Sequence, residues 1–461
     1  MTGRVTLLDT HAGRLRELVL PASGVEGAAY ALFRIAEHED PWSGEHISRL
    51  LLREVVPIDP DDIVSRSPDH IRTRTRCFAR VLRRAAETGC VPAFIHGHPG
   101  GFDQFSAQDD ADEPALIEMA QNRNGRDAKL LSIVFTGSQK IFGRVWTSPD
   151  AAHSLESVIV MGEEFEVHAG IEHGEDEAFH RQALAFGPSF TQALAELRIG
   201  IVGCGATGSA VATVLARLGA RRLLLIDSDT VATTNLSRLH GATRADIGRP
   251  KTEVLRDHLL VMGLNADVHA FDGWVGAARD AITACDVVFG CTDDHDGRLQ
   301  LNRLAYFYLT PVFDVGIGID TDGCDRVTHA ESRVTVVAPG SRCMLCRGIV
   351  DQARAREDDL LRSDPEEYAR LRAEGEAYIR GGGMPDPAVV TFTTGVACLA
   401  VDELTHRLTG YRRSGSIAHR VVKHHIVEEK RPGPRDRSCT ICRDDQCWGL
   451  GDVQPFLDRV G

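Results

Sequence analysis

Residues His96 to Asp109 hold the densest chemistry in this chain: His-Gly-His-Pro-Gly-Gly-Phe-Asp-Gln-Phe-Ser-Ala-Gln-Asp. Alternate side chains of an extended segment point the same way, so His96 and His98 can present two imidazoles to one ion. Asp109, a short loop later, adds an oxygen ligand, with Asp110 beside it as the alternative. Three protein ligands and one open position suit a catalytic zinc rather than a closed structural one. A His-X-His pair alone says little, because loop histidines are usually solvated or capping residues. The full spacing, with Pro99 after the second histidine and Ser106 three residues before Asp109, says much more.

On that spacing, residues 1–150 resemble a JAB/MPN (JAMM) metalloprotease domain, whose signature is an N-terminal glutamate followed by His-X-His-Pro-X6-Ser-X2-Asp. The resemblance implies Zn2+ on His96, His98 and Asp109, and Ser106 steadying a tetrahedral intermediate. It implies Glu26, in Ser-Gly-Val-Glu-Gly-Ala-Ala-Tyr, as general base on the metal-bound water. Zinc brings that water's pKa towards neutrality and a carboxylate takes the remaining proton. The small, apolar residues after Glu26 read as a helix.

A second signal runs from Leu197 to Ser209, an apolar strand entering Gly-X-Gly-X-X-Gly at Gly203, Gly205 and Gly208. Such glycines let the backbone turn tightly and approach phosphate at a helix N-terminus. A second strand, Arg222 to Ile226, ends in Asp227-Ser228-Asp229, and an acid at this distance suits ribose hydroxyls. Taken alone, the loop says nucleotide, with NAD the default. Asn235, Arg238 and Lys251 then place phosphate-binding groups beyond the second strand, where a dehydrogenase has no need of them. Lysine is scarce here and arginine supplies nearly all the positive charge, so Lys251 is no casual surface residue. A third apolar strand, Asp286 to Gly290, is capped by Cys291-Thr292-Asp293-Asp294, and a carboxylate at a strand's C-terminal end is where an open α/β sheet puts its site.

Residues 176–461 thus resemble the ThiF/MoeB family, the adenylating domain of ubiquitin-activating enzymes and their bacterial relatives. The resemblance implies Asp229 on the ribose, Asn235, Arg238 and Lys251 on the phosphates, and Asp293 supporting Mg2+ at the α-phosphate. Arg181, on the preceding helix, corresponds to an arginine that reaches the phosphates, often across a dimer interface. Two Cys-X-X-Cys pairs, Cys343/Cys346 and Cys439/Cys442, together satisfy tetrahedral zinc, and the family carries such a structural site at these places. The competing reading of the pairs is buried or redox-active cysteine, and Cys447 is a spare whose spacing fits less well. Between Arg347 and Ala397, where thioester-forming members keep their cysteine, there is none. That interval holds a charged, helical-looking insert from Asp351 to Arg380, most simply a solvated surface. Cys398 falls in a core-helix pattern, so adenylation is expected without an enzyme-bound thioester.

These sites need two α/β frames. The expectation is a mixed sheet with flanking helices over 1–150, a connector over 151–175 with one short strand, and a doubly wound Rossmann-like domain over 176–461. Net charge of −14 argues against nucleic acid as the main partner. No run approaches a membrane span, the N-terminus lacks a signal-peptide pattern, and twelve cysteines in 461 residues are few for a disulfide scaffold, which together suggest a cytoplasmic protein. The expected activity is bifunctional: zinc-dependent cleavage after the Gly-Gly tail of a ubiquitin-like or sulfur-carrier protein, and MgATP-dependent adenylation of that protein's C-terminal glycine. A homodimer through the ThiF-like domain, and a sulfur donor or conjugating enzyme downstream, go with it. Two rivals are an NAD(P)-dependent oxidoreductase and a non-catalytic protein binding nucleotide and zinc only as structure. Glu26 and Lys251 weigh against the second, since a scaffold needs neither.

Overall fold

The computed structural model describes residues 3–68, 70–170, 174, 176–322, 326–374, 387–424 and 448–451. Two compact units divide in sequence after Gly174.

The first unit runs β1 (Gly3–Leu8), α1 (Asp9–Val19), β2 (Ala28–Glu39), β3 (His46–Pro57), β4 (Ile63–Ser67), β5 (His70–Thr73), α2 (Thr75–Thr88), β6 (Val91–His98), α3 (Ala107–Asn124), β7 (Leu130–Thr136), β8 (Ile141–Ser148), β9 (Ala151–Met161) and β10 (Glu166–Ala169). The strands order β1-β3-β2-β6-β7-β8-β9-β10, and β1 also pairs with β9. A mixed sheet was expected; its extent was not. The segment read as a connector carries β9, which is ladder-bonded to β1, β8 and β10 inside the sheet. Its run Val-Ile-Val-Met is apolar because the strand is buried, and the acidic, glycine-bearing stretch that suggested a linker begins only at Gly162.

The residues after Glu26 form strand β2, not a helix. Ala29, Ala31 and Phe33 pack into the cluster built on Ala12, Leu15 and Val19 of α1. Tyr30 and Leu32 pack on the other side, with Phe78, Val81 and Leu82 of α2 and Ile117 and Ala120 of α3. A strand covered on both faces is apolar at every position, which removes the alternation that separates strand from helix in a short run.

The second unit runs α4 (His180–Phe186), α5 (Pro188–Glu196), β11 (Arg198–Val202), α6 (Ala206–Leu218), β12 (Arg222–Asp227), α7 (Lys251–Val261), β13 (Asp267–Asp272), α8 (Arg279–Thr283), β14 (Val287–Gly290), α9 (His295–Phe307), β15 (Val312–Thr321), β16 (Val327–Val337), α10 (Gln352–Ser363), α11 (Pro365–Glu374), α12 (Val390–Thr409) and β17 (His419–Lys423). Its strand order is β13-β12-β11-β14-β15-β16-β17. β11 to β15 are parallel, and β16 and β17 extend the edge antiparallel. From β11 the chain winds outward through β12 and β13, then returns to β14 on the other flank. The switch point therefore lies between β11 and β14, where an open α/β sheet leaves a crevice.

α12 is the apolar helix expected there, but Cys398 is exposed on it rather than packed. The buried stripe is Thr393, Val396, Ala397, Ala400, Val401 and Leu404, and position 398 falls off it. The charged insert is helical as α10 and α11, yet it is more than a solvated face. Arg362 pairs with the buried Asp296 of α9 and lies 3.5 Å from the Trp274 ring centroid, and Asp358 accepts the His295 N–H at 2.7 Å. Among the described residues no helix is long and apolar enough to cross a membrane.

Candidate functional site

Two groups of side chains converge, one in each unit. In the first, β6 delivers His96 and His98, and its ladder partners place Ala28 opposite His96 on β2 and Val134 beside it on β7. Gly97 lies between the histidines because a Cβ there would stand 2.1 Å from the Val19 carbonyl oxygen. Gly27 is under the same constraint from Leu18, at 2.2 Å. The strand ends thus dock onto the last turn of α1.

Asp109 reaches the histidines from the first turn of α3. Ser106 caps that helix: its Oγ accepts the Asp109 N–H at 3.2 Å and donates to Asp109 Oδ2 at 2.8 Å, and the Ser106 N–H donates to the same oxygen at 2.7 Å. The Ser-X-X-Asp spacing is therefore a capping box that also fixes a ligand carboxylate.

One nitrogen or oxygen from each of His96, His98 and Asp109 lies within 4.8 Å of the others. His98 Nδ1–H donates to the Phe102 carbonyl at 2.9 Å, which leaves Nε2 as the bare nitrogen. His96 is fully buried, and neither ring nitrogen makes a hydrogen bond among the described residues. Its Nε2 is 3.0 Å from Asp109 Oδ1 but outside bonding angles. A buried nitrogen of this kind suits an ion better than a core packing role. Burial raises the Asp109 pKa, but the adjacent His96 and His98 imidazoles and the Ser106 N–H outweigh it and hold the carboxyl well below its usual range. Burial opposes charge on His98, but the nearby Asp109 carboxylate and the bond to the Phe102 carbonyl outweigh that and raise its pKa. Two neutral imidazoles and a carboxylate fit a divalent zinc.

Glu26 is buried just before β2, its N–H bonded to the Ser67 carbonyl at 2.8 Å, and its charge acts on His98. Asp110, the alternative ligand, is turned away and paired with Arg144 at 2.6 Å.

In the second unit the glycines separate by role. Gly203 sits at φ +89°, and a Cβ there would stand 2.7 Å from the Cys291 backbone. At Gly208 it would stand 1.8 Å from the Gly203 carbonyl oxygen. Gly205 has no neighbour within 4 Å. The first and third glycines thus let β11, β14 and α6 close on one another, while the middle one faces open space at the N-terminus of α6. Asp227 braces the loop, its Oδ2 accepting the Cys204 N–H at 2.6 Å, and burial raises its pKa. Asp229, two residues on, has a 68% exposed side chain.

Lys251 comes alongside Asp229 through a backbone clasp. Its N–H donates to the Asp229 carbonyl at 2.9 Å, Val231 N–H to Arg249, and Gly248 N–H to Val231. Its Nζ then meets Asp229 Oδ2 at 2.6 Å with the residue 9% exposed. Asn235 uses its Oδ1 to accept the Ala232 N–H at 2.9 Å, and Arg238 donates to the Thr234 carbonyl at 2.7 Å, both in the turn after β12. Asp293 is exposed after β14, and its carboxylate makes no hydrogen bond or ion pair among the described residues. Arg181 is exposed on α4, which packs against α5, and no hydrogen bond or ion pair among the described residues joins it to the glycine loop.

Sequence reasoning missed two features here. Beneath Asp293, the fully buried Asp314 of β15 is shared by Arg298 at 3.0 Å and Arg333 at 2.7 Å. Arg298 lies five residues after Asp293, at the start of α9, which was a usable signal; the pairing across β15 and β16 was not. The nearby Cys291 thiol is pushed far up, first by burial and then by Asp314, so it is no thiolate nucleophile. In the third site, the buried Cys343 accepts the Cys346 N–H on its Sγ at 3.5 Å. Cys439 and Cys442, like Cys324 and Cys447, lie outside the described residues.

The second unit is a doubly wound α/β fold with a glycine-loop crevice at its switch point. The ThiF family model matches residues 179–448, more than half of the chain, and the protein belongs to the ThiF family. It is 32% identical over 176 residues to the molybdopterin-synthase adenylyltransferase of Salmonella typhimurium, covering 36% of this chain and 66% of that protein. It is 33% identical over 132 residues to the sulfur carrier protein ThiS adenylyltransferase of Escherichia coli, covering 28% and 53%. It is 29% identical over 144 residues to the tRNA threonylcarbamoyladenosine dehydratase 2 of Saccharomyces cerevisiae, covering 29% and 32%. The chain thus spans from a third to two thirds of the length of these relatives.

Proposed function

We propose that the second unit adenylates the C-terminal glycine of a small ubiquitin-like or sulfur-carrier protein with MgATP. The observation that carries this reading is the union of Lys251 and the exposed Asp229 at the mouth of a crevice whose middle glycine faces open space. Backbone N–H groups of the glycine loop and the α6 N-terminus receive phosphate. Asp229 takes the ribose, Asn235, Arg238 and Lys251 the phosphate oxygens, and Asp293 anchors Mg2+. Arg181 serves the same phosphates in a homodimer. The tail carboxylate oxygen attacks the α-phosphorus and pyrophosphate leaves, a reaction that positioning and charge neutralisation can drive. With no cysteine between Arg347 and Ala397, the acyl-adenylate leaves for a sulfur donor or a conjugating enzyme.

Names of relatives support this choice: two are adenylyltransferases, one of them for the sulfur carrier ThiS. The third is named for a tRNA modification, and the chain's −14 charge weighs against that polyanion as substrate. In the first unit, zinc on His96, His98 and Asp109 would supply a Lewis acid that acidifies water. Glu26 takes the proton, Ser106 holds Asp109 and faces the tetrahedral carbon's oxygen, and the bond cut follows the Gly-Gly tail. Cys343, Cys346, Cys439 and Cys442 would hold a structural zinc.

The test is exchange of labelled pyrophosphate into ATP with a panel of small proteins ending in Gly-Gly, alongside an NADH absorbance assay. Exchange that requires one such protein supports the reading. Hydride transfer, or no exchange with tightly bound ATP, refutes it.

A further inference from the structure

α3 carries a second carboxylate layer one turn beyond Asp109. Glu113 is 1% exposed and accepts three hydrogen bonds. Ser132 Oγ of β7 donates to Oε1 at 2.5 Å, while Arg144 Nε and Trp146 Nε1 of β8 donate to Oε2 at 2.8 and 2.6 Å. Arg144 spans the helix, because its Nη1 also donates to Asp110 at 2.6 Å. Its guanidinium carbon lies 3.7 Å from the Phe105 ring centroid and 4.8 Å from that of Trp146, with Phe105 in the loop that leads from His98 to the helix. Every donor of this knot comes from the sheet, and every acceptor from the turn of α3 that follows Asp109.

The knot is costly for packing alone. Burying a carboxylate and a guanidinium is repaid only with close geometry and complete hydrogen bonding, and an apolar set of equal volume usually stabilises as well or better. What it supplies is direction. Pro114, inside the helix, removes one backbone N–H from the same turn, so the turn's placement depends on these side-chain bonds. Arg144 occupies Asp110 and thereby decides which of two adjacent aspartates turns towards His96 and His98.

We propose that Glu113 is a positioning residue for the metal site. Through Arg144, Ser132 and Trp146 it fixes the first turns of α3 against β7 and β8, holds Asp109 at ligand distance, and keeps Asp110 out of the coordination sphere. The inference rests on reading His96, His98 and Asp109 as a zinc site.

The experiment uses the full chain, with zinc affinity from chelator competition and the visible spectrum of the Co2+-loaded protein as readouts. His96→Ala first tests the underlying reading: if wild-type and H96A proteins bind zinc alike, the metal site itself is wrong. Glu113→Ala, with native near-UV circular dichroism, should weaken zinc at this site by roughly tenfold or more, within the range for residues that orient metal ligands. Its Co2+ spectrum should move towards that of Asp109→Ala. Glu113→Gln should recover most of the affinity. Its amide oxygen can still accept from Arg144 and Trp146, and its NH2 can donate to Ser132 Oγ. A purely space-filling role would not produce that rescue. If the alanine variant does not fold, Arg144→Met, which keeps the stem over Phe105 and frees Asp110, should show the same loss and spectral change. Wild-type affinity and spectrum in a folded E113A or R144M protein would overturn the proposal.

Discussion

Gly205→Ala separates a glycine required by the protein from one required by its ligand. A methyl group at this position meets nothing within 4 Å, and Gly205 has φ −70°, which alanine adopts freely. As N-cap of α6, replacement of glycine by alanine costs up to about 1 kcal/mol. Loss of chain freedom in the unfolded state returns about 0.4–1 kcal/mol. The net change in stability is therefore close to zero, and a thermal melt should move by no more than about 2–4 °C. Gly208→Ala differs, because its Cβ would stand 1.8 Å from the Gly203 carbonyl oxygen, against backbone that has no room to yield. That variant should lose several degrees of melting temperature or fail to fold. If the open space beside Gly205 is where phosphates approach the backbone, the same harmless methyl should weaken MgATP binding at least tenfold, equivalent to about 1.4 kcal/mol. Isothermal titration with ATP, beside melts of both variants, reads the two effects separately. Wild-type ATP affinity in a folded G205A protein would refute the assignment of this loop as the phosphate cradle.

Lys251→Ala should reduce carrier-dependent pyrophosphate exchange by about a hundredfold, as loss of one preorganised charge contact commonly does; a loss below threefold would remove Lys251 from the phosphates. Glu26→Gln should leave zinc bound, by metal analysis, while abolishing cleavage of a Gly-Gly-tailed fusion, and full cleavage would remove Glu26 as base. Glu166 should make stability acid-sensitive. Burial opposes its charge, but bonds from His168 and Arg16 bring its pKa from 4.5 down to about 2. A depressed carboxylate stabilises above its unfolded pKa and loses that contribution as pH falls towards 2. Melts of wild type and Glu166→Gln should therefore diverge above pH 4.5 and converge below it, and parallel curves would contradict this.

The sequence exposed contacts that follow from spacing and hid those that depend on how strands pair. His96 and His98 were legible because alternation along a strand is a fixed rule, and Ser106 to Asp109 because three residues separate the partners of a capping box. Gly203, Gly205 and Gly208 were legible as a loop, though not that only the middle one faces open space. The error at β2 has a physical cause: Ala29 to Phe33 are apolar on both faces because α1 covers one and α2 with α3 the other. Nothing within the run itself reports two-sided burial. The connector reading of 151–175 failed in the same way, since β9 gains its place from β1, some 150 residues earlier.

The buried charge clusters mark the further limit. Glu113 with Arg144, and Asp314 with Arg298 and Arg333, join residues from different elements, so neither sequence interval carries a motif. Yet on the proposed reading both adjoin a residue with chemistry to do: Glu113 lies one turn after Asp109, and Arg298 bonds both Asp314 and the Asp293 carbonyl. An exposed or half-buried carboxylate must point in one direction to bind an ion, and a local cap such as Ser106 on Asp109 can set the side chain but not where the helix itself lies. A buried ion pair can, because its geometry is strict and a misplaced partner leaves a desolvated charge. In the glycine loop, Asp227 fixes the Cys204 N–H, while Asp229 two residues on pairs with Lys251. On the proposed reading, the motif at the first two places names the group that acts, and a neighbouring buried carboxylate sets where it acts.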